Sequence, residues 1–318
     1  PLTLRLGAIA LFTASGLLVF LLARQLLTDR GSVFSSAIFH FTPLFMICAG
    51  TLMLPDAGLT FFWLGALLAL LKIVRGDRRN GVWALAGLLT GCAMLAKYQA
   101  VFLGVSLAAY LAAYDRRSFR SWGPYLYGVF AVLPILPVVA WNLRNEGLSV
   151  RFYRDRVLHE QIAISDILMA IGGQLVYLTP LVAFGFAVAM WLSFQRGIRG
   201  GDAAHRFCFF FGAIPAVAFN LLAFITPVLP HWPLPAYLVL CVGLAKVLDS
   251  RWSPDRSTRT WSVVATLYIF AVLLTGYAQL RWHVVPVSAM VERGWILSLI
   301  HISEPTRPPL LSRMPSAA

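Results

Sequence analysis

The stretch LPDAGLTFFWLGALLALLKIVRG, residues 54–76, decides the fold. From Gly58 to Val74 it is almost wholly apolar, with an acid before the run, Asp56, and two cations at its far end, Lys72 and Arg75. A helix rises about 1.5 Å per residue, so such a run approaches the roughly 30 Å thickness of a bilayer's hydrocarbon core. No water inside that layer satisfies a backbone N–H or C=O, so the segment must be helical, and it is far too long for a barrel strand. Its acid and its cations then fall on opposite faces of the membrane.

Outward from this segment the pattern repeats. Hydrophobic residues make up 59% of the chain and charged residues only 12%, with a mean hydropathy of +0.76. A soluble domain would be about a quarter charged. The sequence therefore predicts an all-α, polytopic transmembrane helix bundle of about ten spans. They run Leu6–Leu27, Val33–Leu52, Gly58–Val74, Val82–Ala96, Gln99–Ala113, Gly123–Asn142, Ile167–Phe194, Phe207–Ile225, Leu234–Leu248 and Thr260–Ala278. Alternate connections are basic: Arg30; Lys72, Arg75, Arg78 and Arg79; Arg116, Arg117 and Arg120; Arg196, Arg199 and Arg206; Arg251, Arg256 and Arg259. The connections near Asp56 and His231 carry no Lys or Arg. The loop-charge rule assigns the basic set to the cytoplasm. The excess of 26 Lys and Arg over 13 acids lies between spans, so membrane lipids and not nucleic acid are the expected partners.

Several function classes are excluded early. Cys48, Cys92, Cys208 and Cys241 sit singly in apolar segments, which argues for buried hydrophobes and against structural zinc or a disulfide framework. There is no Walker loop, no GxSxG elbow and no dinucleotide fingerprint. The chain starts at Pro1 with no leader, and at least one upstream span is expected. From Leu297 the run LSLIHISEPTR reads like a translated sequencing adapter. The expected organisation is a transmembrane domain over residues 1–296 and non-native read-through over 297–318.

Four patches interrupt the helices on the face opposite the basic loops. Lys97 and Tyr98 join two short spans, where a lysine either snorkels to the surface or meets an anionic ligand. Asp56 follows Pro55 and can cap the next helix near Gly58 and Leu59, or bind a sugar hydroxyl or a divalent cation. Leu229-Pro230-His231-Trp232 forms a third patch. The fourth runs from Asn142 to Glu160 and carries Arg144, Arg151, Arg154 and Arg156; its RFYRDRVLHE segment reads as an amphipathic interfacial helix, one of the short helices expected on this side. An acid, a lysine, four arginines and a histidine on one face suit a lipid-linked anion.

Taken in order, residues 54–76, then WALAGLLTGCAMLAKYQAVFLG, WGPYLYGV, PVVAWNLRNEG and LPHWPLPAYL resemble glycosyltransferase family 39. This is the bacterial branch related to dolichyl-phosphate-mannose–protein mannosyltransferases, within the C-type glycosyltransferase superfamily. The resemblance extends from Arg5 to Leu280. It implies an enzyme of the bacterial inner membrane that takes a sugar from a polyprenyl-phosphate donor on the periplasmic or external face. The acceptor would be a lipid, a glycan or a protein. The family's presumed catalytic base lies in an acidic first external loop, which on this alignment precedes Pro1, so the fragment itself is expected to be inactive. Asp56 matches the family's second acidic position, Lys97-Tyr98 its Lys-Tyr pair, and His231-Trp232 its His-Trp-Pro turn.

Such a transfer needs a base for the acceptor hydroxyl and cations for the departing phosphate. Guanidinium groups suit the second task because they stay charged and present paired N–H donors. Lys97, Tyr98, Arg144, Arg151, Arg154 and Arg156 are therefore the expected phosphate-binding residues, with Asn142, His231 and Trp232 lining the cavity and Asp56 as a secondary acid. The sequence identifies no cofactor, and Asp56 could take a divalent cation. The competing readings are a lipid-linked sugar flippase or transporter, and a glycan polymerase or ligase of the same superfamily.

Overall fold

The computed structural model describes residues 2–52, 54–151, 154, 163–226, 228–251 and scattered positions from 260 to 282. The chain divides into Pro1–Ile269 and Phe270–Ala318; the second unit is described only at scattered helical positions up to 282, and the first carries everything below. About half of the expected span Thr260–Ala278, and all of residues 297–318, lie outside the described residues.

The described residues form helices: α1 (Leu2–Arg24), α2 (Asp29–Phe41), α3 (Pro43–Thr51), α4 (Asp56–Val74), α5 (Asn80–Ala96), α6 (Tyr98–Tyr114), α7 (Gly123–Arg144), α8 (Ile164–Leu178), α9 (Pro180–Arg199), α10 (Ala203–Leu222) and α11 (Leu234–Arg251). Five of them (α1 from Arg5, α4, α7, α9 and α10) are long and apolar enough to cross a membrane, and α2 with α3, bent by 58° at the break before Pro43, makes a sixth if the pair is one span. Helices α5, α6 and α8 are shorter apolar elements.

The expectation of about ten spans is thus not reproduced as ten crossing helices. The clearest departure is the expected span Ile167–Phe194, which the structure breaks in two at Thr179. That residue precedes Pro180 and adopts φ 67°, a left-handed conformation rare for a β-branched side chain. The expected span Leu234–Leu248 falls on α11, which is not among the helices that pass as membrane-crossing and is a core helix. Every residue from Leu234 to Ala245 is buried, and a helix apolar on all sides belongs inside a bundle.

Helix α4 packs chiefly on α5 and α1, α5 on α7, and α11 on α2 and α9. The α5–α7 contact is set by two glycines one turn apart. A Cβ on Gly87 would lie 2.2 Å from the Tyr127 carbonyl oxygen, and one on Gly91 would lie 2.5 Å from that of Ala131. Small residues at this spacing let two backbones touch, as membrane helices do when burial from water gives no drive between them. Between the glycines, the Tyr127 hydroxyl donates to Thr90 Oγ1 at 3.0 Å.

Contacts between helix ends sort the bundle into two ends. At one, Arg30 Nε donates to Asp249 at 2.8 Å, Lys246 pairs with Asp202 at 2.9 Å, Arg78 pairs with Asp115, and Arg75 donates to the Gln25 carbonyl. Thr28 caps α2 through Gly31 N–H and donates to Asp249 at 2.7 Å, stitching α2 to the C-terminus of α11. The opposite end holds the turns at Asp56, Lys97 and His231.

Candidate functional site

Helix α4 starts at Asp56, with Pro55 ahead of it at the N-cap position. The expected cap is not made: no side-chain bond closes onto the helix N-terminus. The carboxylate, fully buried, accepts instead from Lys97 Nζ, at 2.8 Å on Oδ1 and 2.7 Å on Oδ2. Lys97 can reach it because it is the single extended residue (φ −152°, ψ 134°) between α5 and α6. Helix α4 lies close beside α5 here, so that a Cβ on Gly58 would touch that of Ala96 at 3.7 Å. The lysine is therefore not snorkelling alone: two of its three N–H donors are spent on one carboxylate, and one is left over. A divalent cation at Asp56 would have to displace that ammonium. Among the described residues no group of three or more His, Cys, Asp and Glu could hold a metal ion.

His231 belongs to the same place. It lies in the turn before α11, within electrostatic reach of both Asp56 and Lys97. Burial lowers its pKa from the ordinary value; Asp56 opposes this and Lys97 adds to it. The ring is therefore neutral at neutral pH. The unfolded chain takes up this proton at higher pH than the folded one, so stability rises with pH between the lowered folded value and about 6.5, and falls on acidification through that window. A His231→Gln variant should flatten this part of the pH dependence of detergent melting; an unchanged profile would remove His231 as its source.

The turn is held by features that the sequence reading missed. Pro230 sits on α8 so closely that a Cβ on Gly173 would come within 2.4 Å of its ring. Trp232 packs on Ala170, Ala223 and Val228. One turn further along α8, Gln174 donates to Asn220 of α10 at 3.0 Å and accepts from the Tyr237 hydroxyl of α11. Ala170, Gly173 and Gln174 share one helical face, a spacing visible in the sequence once that face is known.

Beyond Lys97, Tyr98 lines a cavity of about 950 Å³ with Ile135, Val138, Val139, Asn142, Leu143, Glu146, Gly147, Ser149, Val150 and Arg154. Its wall is mainly aliphatic, with Glu146 and Arg154 as its charged residues. Asn142 shapes the wall as well as lining it. Its side chain donates to Val138 O at 2.9 Å and accepts from Ser149 N–H at 3.0 Å, while Gly147 N–H donates to Asn142 O at 2.8 Å. Glu146 (φ 54°) and Gly147 (φ 69°) turn the chain there, ending α7.

The predicted residues thus separate. Asp56, Lys97 and His231 come together, and Tyr98, Asn142 and Arg154 share the cavity next to them. His231 and Trp232, expected in the lining, are not part of this cavity wall. Arg144 is exposed at the end of α7 and outside the cavity, and Arg151 is exposed and paired with Glu146 at 3.2 Å. Arg156 and most of the RFYRDRVLHE segment lie outside the described residues. Cys48, Cys208 and Cys241 are free and buried, and Cys92 is free and half-buried.

In comparison with known families, residues 2–141 match the one described as dolichyl-phosphate-mannose-protein mannosyltransferase. No curated protein and no solved structure matches the chain.

Proposed function

From the premise that residues 2–141 are dolichyl-phosphate-mannose-protein mannosyltransferase family sequence, we propose a membrane glycosyltransferase that moves a sugar from a polyprenyl phosphate to an acceptor on the non-cytoplasmic face. The observation that carries this reading is the Asp56–Lys97 pair, fixed one residue from an aliphatic cavity of about 950 Å³ with Arg154 in its wall. An isoprenoid chain needs an apolar groove, and its phosphate needs fixed N–H donors at the end of that groove. Asp56 orients the Lys97 ammonium and leaves its third N–H for a phosphate oxygen. As the acceptor hydroxyl attacks the sugar's anomeric carbon, the bond to phosphate breaks and negative charge grows on the leaving oxygen. Lys97 and Arg154 offset that charge in this reading. With both oxygens committed to Lys97, Asp56 serves as the orienting acid, and the acceptor's proton goes to another base.

Sidedness follows from charge. The end bearing Arg30, Arg75, Arg78 and Arg199 is assigned to the cytoplasm, so the Asp56 end faces out, toward a lipid, glycan or protein acceptor. Arg154→Gln should weaken donor binding about tenfold, the loss of one charge-assisted contact, while Arg144→Gln, outside the cavity, should leave it within about twofold. Equal effects of the two variants would count against the cavity as the donor site.

The reaction is tested with the intact enzyme in proteoliposomes and labelled polyprenyl-phosphate sugar. Release of polyprenyl phosphate, with the label passing to an acceptor, is the expected result. A donor that stays whole and only changes leaflet would overturn the proposal in favour of a flippase, and a product that lengthens stepwise would mark a polymerase.

A further inference from the structure

At the end of the bundle opposite the site, the turn Arg116–Arg120 joins α6 to α7. It is a 3₁₀ turn, in which residues three apart eclipse, so Arg117 and Arg120 stand on one face. The turn is pinned from beneath. Ser118 is buried, donates to Asp115 and accepts from Arg78, which also pairs with Asp115. Arg116 is turned back onto α6, donating to Ala112 O at 2.7 Å. The guanidinium groups of Arg117 and Arg120 make no hydrogen bond or ion pair among the described residues, and both residues are exposed. Around them stand aromatic side chains that a water-facing loop would not expose: Trp122 at 76%, Tyr125 at 60% and Phe119 at 39%. Tyr125 is fixed there by its hydroxyl, which donates to Phe119 O at 3.2 Å.

We propose that Arg117 and Arg120, on a rigid turn beside Trp122 and Phe119, form a docking surface for the headgroup of an anionic phospholipid. Exposed aromatic rings sit at the level of the headgroups, where one end is apolar and the other wet. Two guanidinium groups on one face, without protein acceptors, complement a phosphodiester at that depth, and each basic residue at an anionic leaflet adds to the attraction. Other cations of this end are spent on protein acceptors: Arg30 on Asp249, Arg78 on Asp115, and Arg206 on the Tyr114 ring at 4.1 Å and the Gly201 carbonyl. The surface lies away from the Asp56–Lys97 site and does not depend on its reading.

The test is quenching of Trp122 fluorescence, taken as wild type minus Trp122→Phe, in vesicles of phosphatidylcholine carrying a fixed minority of brominated lipid. Brominated phosphatidylglycerol should quench at least about threefold more than brominated phosphatidylcholine at the same fraction, because the anionic lipid is enriched at the turn. Arg117→Gln/Arg120→Gln should abolish that preference, and Arg117→Lys/Arg120→Lys should restore part of it. Melting of each variant in detergent controls for folding, and Arg196→Gln, a cation elsewhere at this end, should leave the preference intact. Equal quenching by the two lipids, or a preference that survives the double glutamine change in a folded protein, overturns the proposal.

Discussion

Lys97→Met is expected to lower both the melting temperature and the turnover of the intact enzyme. The change leaves the Asp56 carboxylate, 0% exposed, without its partner. Breaking a buried ion pair from one side typically costs about 3–5 kcal/mol, a large share of a fold's roughly 5–15 kcal/mol. Asp56→Asn should cost less stability, because the Lys97 side chain is 20% exposed and can swing toward the surface. The informative variant is Asp56→Leu/Lys97→Met. An apolar pair of similar volume is often neutral or stabilising, so melting should return close to wild type. If the pair exists to place a phosphate-binding ammonium, turnover should stay at least about tenfold down in the double variant. Recovery of both properties would reduce the pair to a structural pin.

Gly87→Leu is expected to have the largest effect on folding alone. The new side chain has no room, since even its Cβ would stand 2.2 Å from a backbone oxygen that cannot rotate away. Helices α5 and α7 would have to part, losing the Gly91–Ala131 approach and the Tyr127–Thr90 hydrogen bond together. Overpacking usually costs about 1–3 kcal/mol, and rigid backbone puts this site at or above the upper end. Detergent melting and the yield of monodisperse protein measure the loss. Leu at Gly128, where an added Cβ meets nothing within 4 Å, should be tolerated on the same helix pair and serves as the control.

Much of this was legible in the sequence, for physical reasons that differ by level. Apolar runs of membrane-spanning length between polar loops are legible directly from composition, as at α1, α4, α7 and α10. Hydropathy cannot tell a helix facing lipid from one facing other helices, so α11 read as one span among many although it is buried along its length. The break at Thr179 was available in the Thr-Pro dipeptide but was overridden by the apolar residues on either side. The GLLTG of residues 87–91 likewise carries a close-packing signal, two small residues one turn apart within an apolar run that looks uniform.

The site shows the same division. Asp56, Lys97 and His231 could be assigned to one face by topology. That Asp56 and Lys97 hold each other follows only from the close approach of α4 and α5 and the one-residue link at Lys97. Spacing along the chain says nothing of a contact across 41 residues. The arginines of the Asn142–Glu160 stretch looked equivalent as a sequence. The turn at Glu146 and Gly147 separates them: Arg154 lines the cavity, Arg151 pairs with Glu146, and Arg144 lies outside.

The central claim is that the donor's phosphate is held at Lys97 next to Asp56. Its most direct measurement is the affinity of the intact protein for polyprenyl phosphate, wild type against Asp56→Leu/Lys97→Met at matched melting temperature. The account predicts a Kd at least about tenfold weaker in the double variant, about 1.4 kcal/mol or more of lost binding. An unchanged Kd in a protein that melts like wild type would contradict it.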